Sequence, residues 1–251
     1  MTQSTIDLRR GLKAAYEMDE RFFDSGSNEM KDRSGNQHHV EASGGVTVGS
    51  EQYLGYNSTF FSDTDGQFEG SDDVVVGSPT STGLTFAMLQ KMSDDGNDGG
   101  NPDYLYMGSD DQWEITVTNM NRYDLLIPND GGDRFLVRAD EPDRLVGEWV
   151  WTFCVYDADK NVGYVYYGPN SYWGDGLHLI PGSGDRNPYD FNDEPENPVD
   201  PDYSGTNNIT IRGRVSDCEY NLAFAGVWNR PLTQSEMLYL TKTSGPRRMI
   251  V

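Results

Sequence analysis

An all-β fold, an antiparallel β-sandwich closed by one short C-terminal helix, is what this 251-residue sequence predicts. Turn formers (Gly, Asp, Asn, Pro) recur about every ten residues, the spacing of a sandwich or barrel. The segments between them are rich in β-branched and aromatic residues, which suit a pleated, half-buried surface. Helical start signals are few, and the clearest lies near the end of the chain. Sandwiches of this length commonly form one unit, so residues 1–251 are expected to build a single domain.

Taken along the chain, the candidate strands are Gly45–Val48, Gln67–Glu69, Asp73–Val76, Leu84–Met88, Tyr104–Met107 and Trp113–Thr118, then Asp133–Val137, Trp149–Tyr156, Gly163–Tyr167, Asn208–Arg212 and Leu222–Trp228. Alternation is imperfect in Trp113–Thr118 and cleaner at Phe135, Val137 and Ala139. In PLTQSEMLYLTK, Thr233 followed by Glu236 forms a capping box, with Leu232 as a hydrophobic staple and Met237, Leu238 and Leu240 as an apolar stripe. Two acidic stretches, Ser93–Asp103 and Asp185–Gly205, read as long surface loops, the second stiffened by prolines. No internal repeat is visible.

Charge narrows the function classes. The chain holds 41 acidic against 19 basic residues, a net −22, with 28 Asp among the acids and 5 Lys among the bases. Phosphate recognition needs concentrated positive charge, so nucleic acid is excluded as a partner. Five Trp, 15 Tyr and 10 Phe argue for a folded chain rather than a solvated acidic tail. An Asp-rich, Lys-poor surface repels itself in dilute buffer and is tolerable at molar salt, where the screening length shrinks to about 3 Å. A high-salt origin is therefore expected.

No apolar run approaches the roughly 18 residues that a membrane span requires, so membrane insertion is not expected. The opening MTQSTIDLRRGLKAAYEMDE has no continuous apolar segment after its basic residues and does not read as a secretory signal. Cys154 and Cys218 stand far apart without zinc-ligand spacing; a disulfide and two buried thiols both remain open.

Several segments, in order, carry a family resemblance. GLKAAYEMDE is followed by KDRSGNQHHV, a D-x-S-G-N stretch; FEGSDDVVV follows, then GEWVWTFCVYDADKNVGYVYYGPN, and AFAGVWNRPLTQSEMLYL closes the chain. This ordered set resembles the concanavalin A-like, laminin-G-like jelly-roll domains, of the kind found in haloarchaeal viral surface or virion structural proteins, and spans Leu8 to Leu240. The resemblance implies a jelly-roll sandwich that binds rather than catalyses. Ser93–Asp143 departs from the pattern by being longer and more polar, and extra loops are expected there.

Glycosidases of this fold carry a Glu-x-Asp-x-Glu triplet on one strand, which directs paired carboxylates into a groove; the triplet is absent here. His38, His39 and His178 have no nucleophile or acid at a recognisable motif spacing and read as strand or turn residues. Calcium is considered at two places. Asp157, Asp159 and Asn161 resemble the start of a calcium loop, but Val162 and Gly168 occupy the places of the required Gly and Glu, which favours a plain hairpin turn. Asp72 and Asp73 are a second candidate pair, against which stands the ordinary role of acids in turns.

For glycan contact, Tyr172, Trp173 and Asp175 after Asn170 place flat rings beside amide and carboxylate oxygens, and Tyr104 is a weaker candidate. A sugar offers a C–H face to stack and hydroxyls to bond. The alternative is that Trp173 plugs the end of the core. The reading that unites these observations is a non-enzymatic virion structural or adhesion protein, of spike, fibre or turret type, from a halophilic archaeal virus. It would be a homo-oligomer located in the virion or outside the cell, partnered by host-surface glycans or glycoprotein and by other virion proteins. A glycoside hydrolase or lyase of the same fold and a halophilic cell-surface lectin are the alternatives.

Overall fold

The computed structural model describes residues 6–53, 56–62, 66–73, 83–92, 103–109, 113–118, 122–128, 134–140, 147–168, 176–179, 189–190, 208–212 and 220–242. In chain order the strands are β1 Leu12–Glu17, β2 Phe23–Asp24, β3 Glu29–Met30, β4 Val40–Ser43, β5 Val46–Tyr53, β6 Tyr56–Phe61, β7 Gln67–Asp73, β8 Leu84–Met92 and β9 Asp103–Ser109. They continue as β10 Trp113–Thr118, β11 Arg122–Pro128, β12 Arg134–Asp140, β13 Val150–Asp157, β14 Val162–Tyr167, β15 His178–Leu179, β16 Tyr189–Asp190, β17 Asn208–Arg212 and β18 Tyr220–Trp228. One short helix, α1, spans Gln234–Leu240, and a 3-10 turn covers Glu20–Phe22.

Among the described residues the strands form two antiparallel nine-stranded sheets. One runs β15-β14-β13-β8-β18-β6-β5, with β1 also paired to β18 and β16 to β14; the other runs β12-β11-β10-β9-β17-β7-β4-β3-β2. Strand β18 is the axis of the first sheet. Its length lies along β8 on one side, while the other side is divided between β6 at Tyr220–Leu222 and β1 at Phe224–Trp228.

Every residue of β18 is buried, as are the first seven of β13, because this sheet is covered on both faces. Period-2 alternation divides each strand between two clusters. Phe86, Met88, Cys154, Tyr156, Val165 and Val227 face Met30, Val40, Phe68, Ile209 and Ile211 of the opposite sheet. Ala87, Leu89, Trp151, Phe153, Phe224 and Trp228 lie in the other cluster with Leu8, Leu232, Met237 and Leu240. A register shift between Leu222 and Phe224 changes the phase of β18, so that Tyr220 and Leu222 share the inter-sheet core with Ala225 and Val227.

Fully buried rings dominate both layers, each worth roughly 2–3 kcal/mol of apolar burial. Phe61 stacks on Tyr220 at 4.5 Å, and Trp151 on Phe153 at 5.6 Å. Gly226 is needed between two such rings, since a Cβ there would lie 2.8 Å from Trp228 and 3.0 Å from Phe224.

The expected helix forms with the expected chemistry. Thr233 Oγ1 accepts from the Glu236 N–H, Glu236 accepts from the Thr233 N–H, and Leu232 and Met237 are buried in one cluster.

Three expectations change. Gln67–Glu69 and Asp73 belong to one strand, β7, rather than to two. The departing segment Ser93–Asp143 holds, besides the three strands expected there (β9, β10 and β12), a fourth, β11, and the four form a meander that extends the second sheet. Within Asp185–Gly205, Tyr189 and Asp190 pair with β14 instead of belonging to a loop throughout. Strands β2, β3, β4, β6, β11 and β15 were not anticipated. Most are two to six residues long, too short for periodicity to reveal.

Candidate binding surface

Two of the segments that carried the family resemblance brace the sandwich. Asp32, 8 % exposed, accepts hydrogen bonds from the N–H groups of Ala15, Ser34 and His38 and from Ser34 Oγ. Asn36 Nδ2 donates to Leu12 O and Lys13 O, and the Arg33 N–H to Ala15 O. The D-x-S-G-N turn thus supplies β1 with bonds along a side that β18 does not reach. His39 Nδ1 accepts from the Asp32 N–H, and His178 sits in β15 opposite Tyr167, so both occupy the turn or strand places expected of them.

At the other end, Arg230 Nη1 and Nη2 reach Glu236 Oε2 and Oε1 at 2.9 and 2.7 Å. Arg230 also donates to Arg10 O, Asp7 O and Pro231 O. Burial works to raise the Glu236 carboxyl, but hydrogen bonds from Arg230 and from the Thr233 N–H outweigh it and hold it below the usual range.

The first calcium candidate is a turn. Strands β13 and β14 pair from Thr152–Tyr167 to Asp157–Val162, and the intervening residues form the hairpin connection. Asp157 Oδ2 takes the Lys160 ammonium, Asn161 adopts a left-handed φ of 56°, and its Oδ1 accepts from Tyr156 OH. These side chains serve the hairpin rather than converging on a centre. Asp72 and Asp73 end strand β7, with Asp73 opposite Asn208, so they belong to the sheet rather than to a turn. Among the described residues no group of three or more His, Cys, Asp or Glu gathers as metal ligands do, and no helix is long and apolar enough to cross a membrane.

Asn170, Tyr172, Trp173 and Asp175 lie outside the described residues, as does Cys218; Cys154 is buried in the inter-sheet core. Tyr104 falls in β9, which lies between β10 and β17.

The described surface has one hollow that sequence reasoning did not anticipate. It holds about 580 Å³ and opens where the edge strands of the two sheets, β2 and β5, come to the same side of the sandwich. The chain crosses between the sheets here, from β4 to β5 through Gly44 and Gly45, with Gly44 at φ 66°. Phe23, Val46 and Val48 form an apolar floor continuous with the core. Glu20, Ser43 and Thr47 stand exposed around it. A Cβ on Gly49, whose φ is +80°, would lie 2.7 Å from Glu20 Oε2, so this glycine gives the carboxylate room beside β5. The contributing residues come from two stretches, Glu20–Asn28 and Ala42–Val48, and no sequence motif links them.

Beneath this rim Asp19 anchors the 3-10 turn. Burial works to raise its carboxyl, but hydrogen bonds from the Arg21 side chain and N–H and from the Asn57 N–H hold it below the usual range.

Neither a protein-family model nor a curated protein sequence matches the chain. Solved structures do share its fold. The receptor-binding domain of botulinum neurotoxin mosaic serotype C/D superposes with a TM-score of 0.63 at 10 % identity, over 93 % of this chain and 50 % of that one. The binding domain of Paraclostridial Mosquitocidal Protein 1 gives 0.63 at 14 % identity, covering 93 % and 52 %. The binding domain of botulinum neurotoxin DC, solved in complex with rat synaptotagmin II, gives 0.63 at 8 %, covering 94 % and 52 %. The chain therefore spans about half the length of these structures, and what it shares with them is an antiparallel jelly-roll-like β-sandwich.

Proposed function

We propose that this chain is a non-enzymatic attachment module that recognises glycans or glycoprotein on a host surface. The observation that carries the reading is the superposition of nearly the whole chain on half of proteins described as binding or receptor-binding domains. Fold alone does not assign a ligand. The sugar-type ligand is supported by aromatic and polar residues grouped at Asn170, Tyr172, Trp173 and Asp175. The resemblance of five ordered segments to laminin-G-like domains supports the same reading, and two of them, D-x-S-G-N and the closing segment with Arg230 and Glu236, brace the sandwich.

The finer reading is a spike, fibre or turret of a halophilic archaeal virus, assembled with other virion proteins as a homo-oligomer, because weak single sites gain from repetition. The acid excess of 41 over 19 supports the high-salt setting.

The test is Trp173→Ala, followed in two assays, glycan or cell attachment and melting. A contact residue loses attachment while the melting point stays nearly unchanged. A core plug costs roughly 3–5 kcal/mol of stability instead. A destabilised protein that still attaches removes Trp173 from the site. Mass measurement in molar KCl addresses assembly, and a monomer at every concentration counts against the spike.

A further inference from the structure

We propose that the hollow between the edge strands β2 and β5 is a carbohydrate subsite for an uncharged pyranose, and that it rejects acidic sugars. This rests on the carbohydrate-binding reading above but draws on a different set of residues.

Three features carry the assignment. About 580 Å³ falls within the range of small-ligand sites and accommodates a mono- or disaccharide. The floor is a half-buried ring, Phe23, flanked by Val46 and Val48, which suits the C–H face of a pyranose. Around it, Glu20, Ser43 and Thr47 are exposed and among the residues that line the hollow, bringing to its surroundings carboxylate and hydroxyl groups of the kind that exchange hydrogen bonds with sugar hydroxyls. Strand β5 also ends the order of its sheet, and alternate residues of an edge strand turn their N–H and C=O groups outward.

Charge sets the selectivity. Among the described residues lining the hollow, Glu20 carries the only formal charge, and the chain as a whole stands at −22. A sialic acid carboxylate or a sugar sulfate entering here meets like charge from Glu20, while the neighbouring Arg21 guanidinium is already held by the Asp19 carboxylate. An uncharged pyranose meets no such cost, and the Glu20 carboxylate accepts from its hydroxyls as a charge-assisted partner.

Lactose and N,N′-diacetylchitobiose serve as neutral probes and 3′-sialyllactose as the acidic counterpart, titrated in molar KCl with saturation-transfer NMR and calorimetry. A neutral disaccharide is expected to bind near the millimolar range, with sialyllactose weaker by about tenfold or more. Ser43→Trp fills the hollow from an exposed position and should abolish that binding with the melting point unchanged. Glu20→Gln should weaken it about fivefold by removing a charged acceptor. Sialyllactose binding as well as lactose, or neutral binding that survives Ser43→Trp, overturns the proposal. If neutral binding survives Ser43→Trp and is lost in Trp173→Ala, the hollow fails while the attachment reading stands. If no probe binds to the unmodified protein, both fail.

Discussion

Arg230 and Glu236 meet in a two-pronged ion pair whose side chains are 10 % and 13 % exposed. The same guanidinium holds the carbonyls of Asp7 and Arg10 ahead of β1, and the same carboxylate closes the cap of α1. One pair thus ties the first strand's approach to the helix that covers the outer face of the first sheet. Glu236→Ala should cost about 3 kcal/mol or more, since it leaves a largely buried cation without its partner and opens the helix cap. Arg230→Lys should recover little, because an ammonium cannot reproduce the forked geometry. Denaturant melts of both variants check this; a loss below about 0.5 kcal/mol for Glu236→Ala would class the pair with ordinary surface bridges.

Acid should destabilise the fold through the same carboxylate. Glu236 and Asp19 both ionise more readily in the folded state than in the unfolded chain. The stability they contribute is therefore full above about pH 4, where unfolded carboxyls are ionised, and it is lost as pH falls through the lower folded values. Protonation elsewhere relieves acidic repulsion and acts in the opposite direction. Melts from pH 7 to pH 2 should therefore be made in molar KCl, where that repulsion is screened. Glu236→Gln should flatten the acid limb, and an unchanged limb would assign the loss to other groups.

Asp32 should be as sensitive as a core residue. It accepts four hydrogen bonds, one from the Ala15 N–H of β1, and replaces the ladder that β1 lacks on that side. Asp32→Ala leaves buried backbone donors unsatisfied and should cost about 2–3 kcal/mol. Hydrogen exchange at Ala15 should accelerate in step. Unchanged exchange there would mean that β18 alone holds the strand.

How much of this was legible in the sequence depended on whether a residue acts locally. The capping box at Thr233 and Glu236 and the turn at Asp157–Asn161 were readable because each closes a bond within a few residues. Strands β10 and β17 were readable at both ends because Trp113–Thr118 and Asn208–Arg212 are rich in β-branched residues between turn formers. Strand β11 was missed where Leu125, Leu126 and Ile127 run together without alternation. The DRSGN and NRPLTQSE segments were visible as patterns, yet their meaning lies in partners such as Ala15 and Arg10, far away in sequence. The hollow was not legible, since Glu20, Phe23, Ser43 and Thr47 become neighbours only when both sheet edges reach the same side.

Gly226 should tolerate no side chain. A methyl group there would press on Phe224 and Trp228, whose rings fill the space above it, and Trp228 is held by a bond from its Nε1 to Leu8 O at 2.7 Å. Gly226→Ala should destabilise by about 1–3 kcal/mol through overpacking. A smaller loss would show that the outer layer can shift. Tryptophan near-ultraviolet circular dichroism reports whether the ring moves.

Salt should stabilise the fold, because 41 acidic groups against 19 basic ones leave repulsion unscreened in dilute buffer. Raising KCl to 1 M shortens the screening length from about 10 Å at 0.1 M to about 3 Å. Exposed carboxylates on neighbouring strands then cease to act on one another, whereas a largely buried pair such as Arg230–Glu236 keeps most of its attraction. Recovery of about 3 kcal/mol would raise the melting point by roughly 6–12 °C for a domain of this size. Screening also predicts the shape of the curve, steep at low KCl and levelling as the screening length falls below the spacing of surface charges. A steady rise without levelling would point to strengthened apolar burial instead. A melting point that stays flat or falls with KCl would remove the high-salt reading, and with it the argument for a halophilic host.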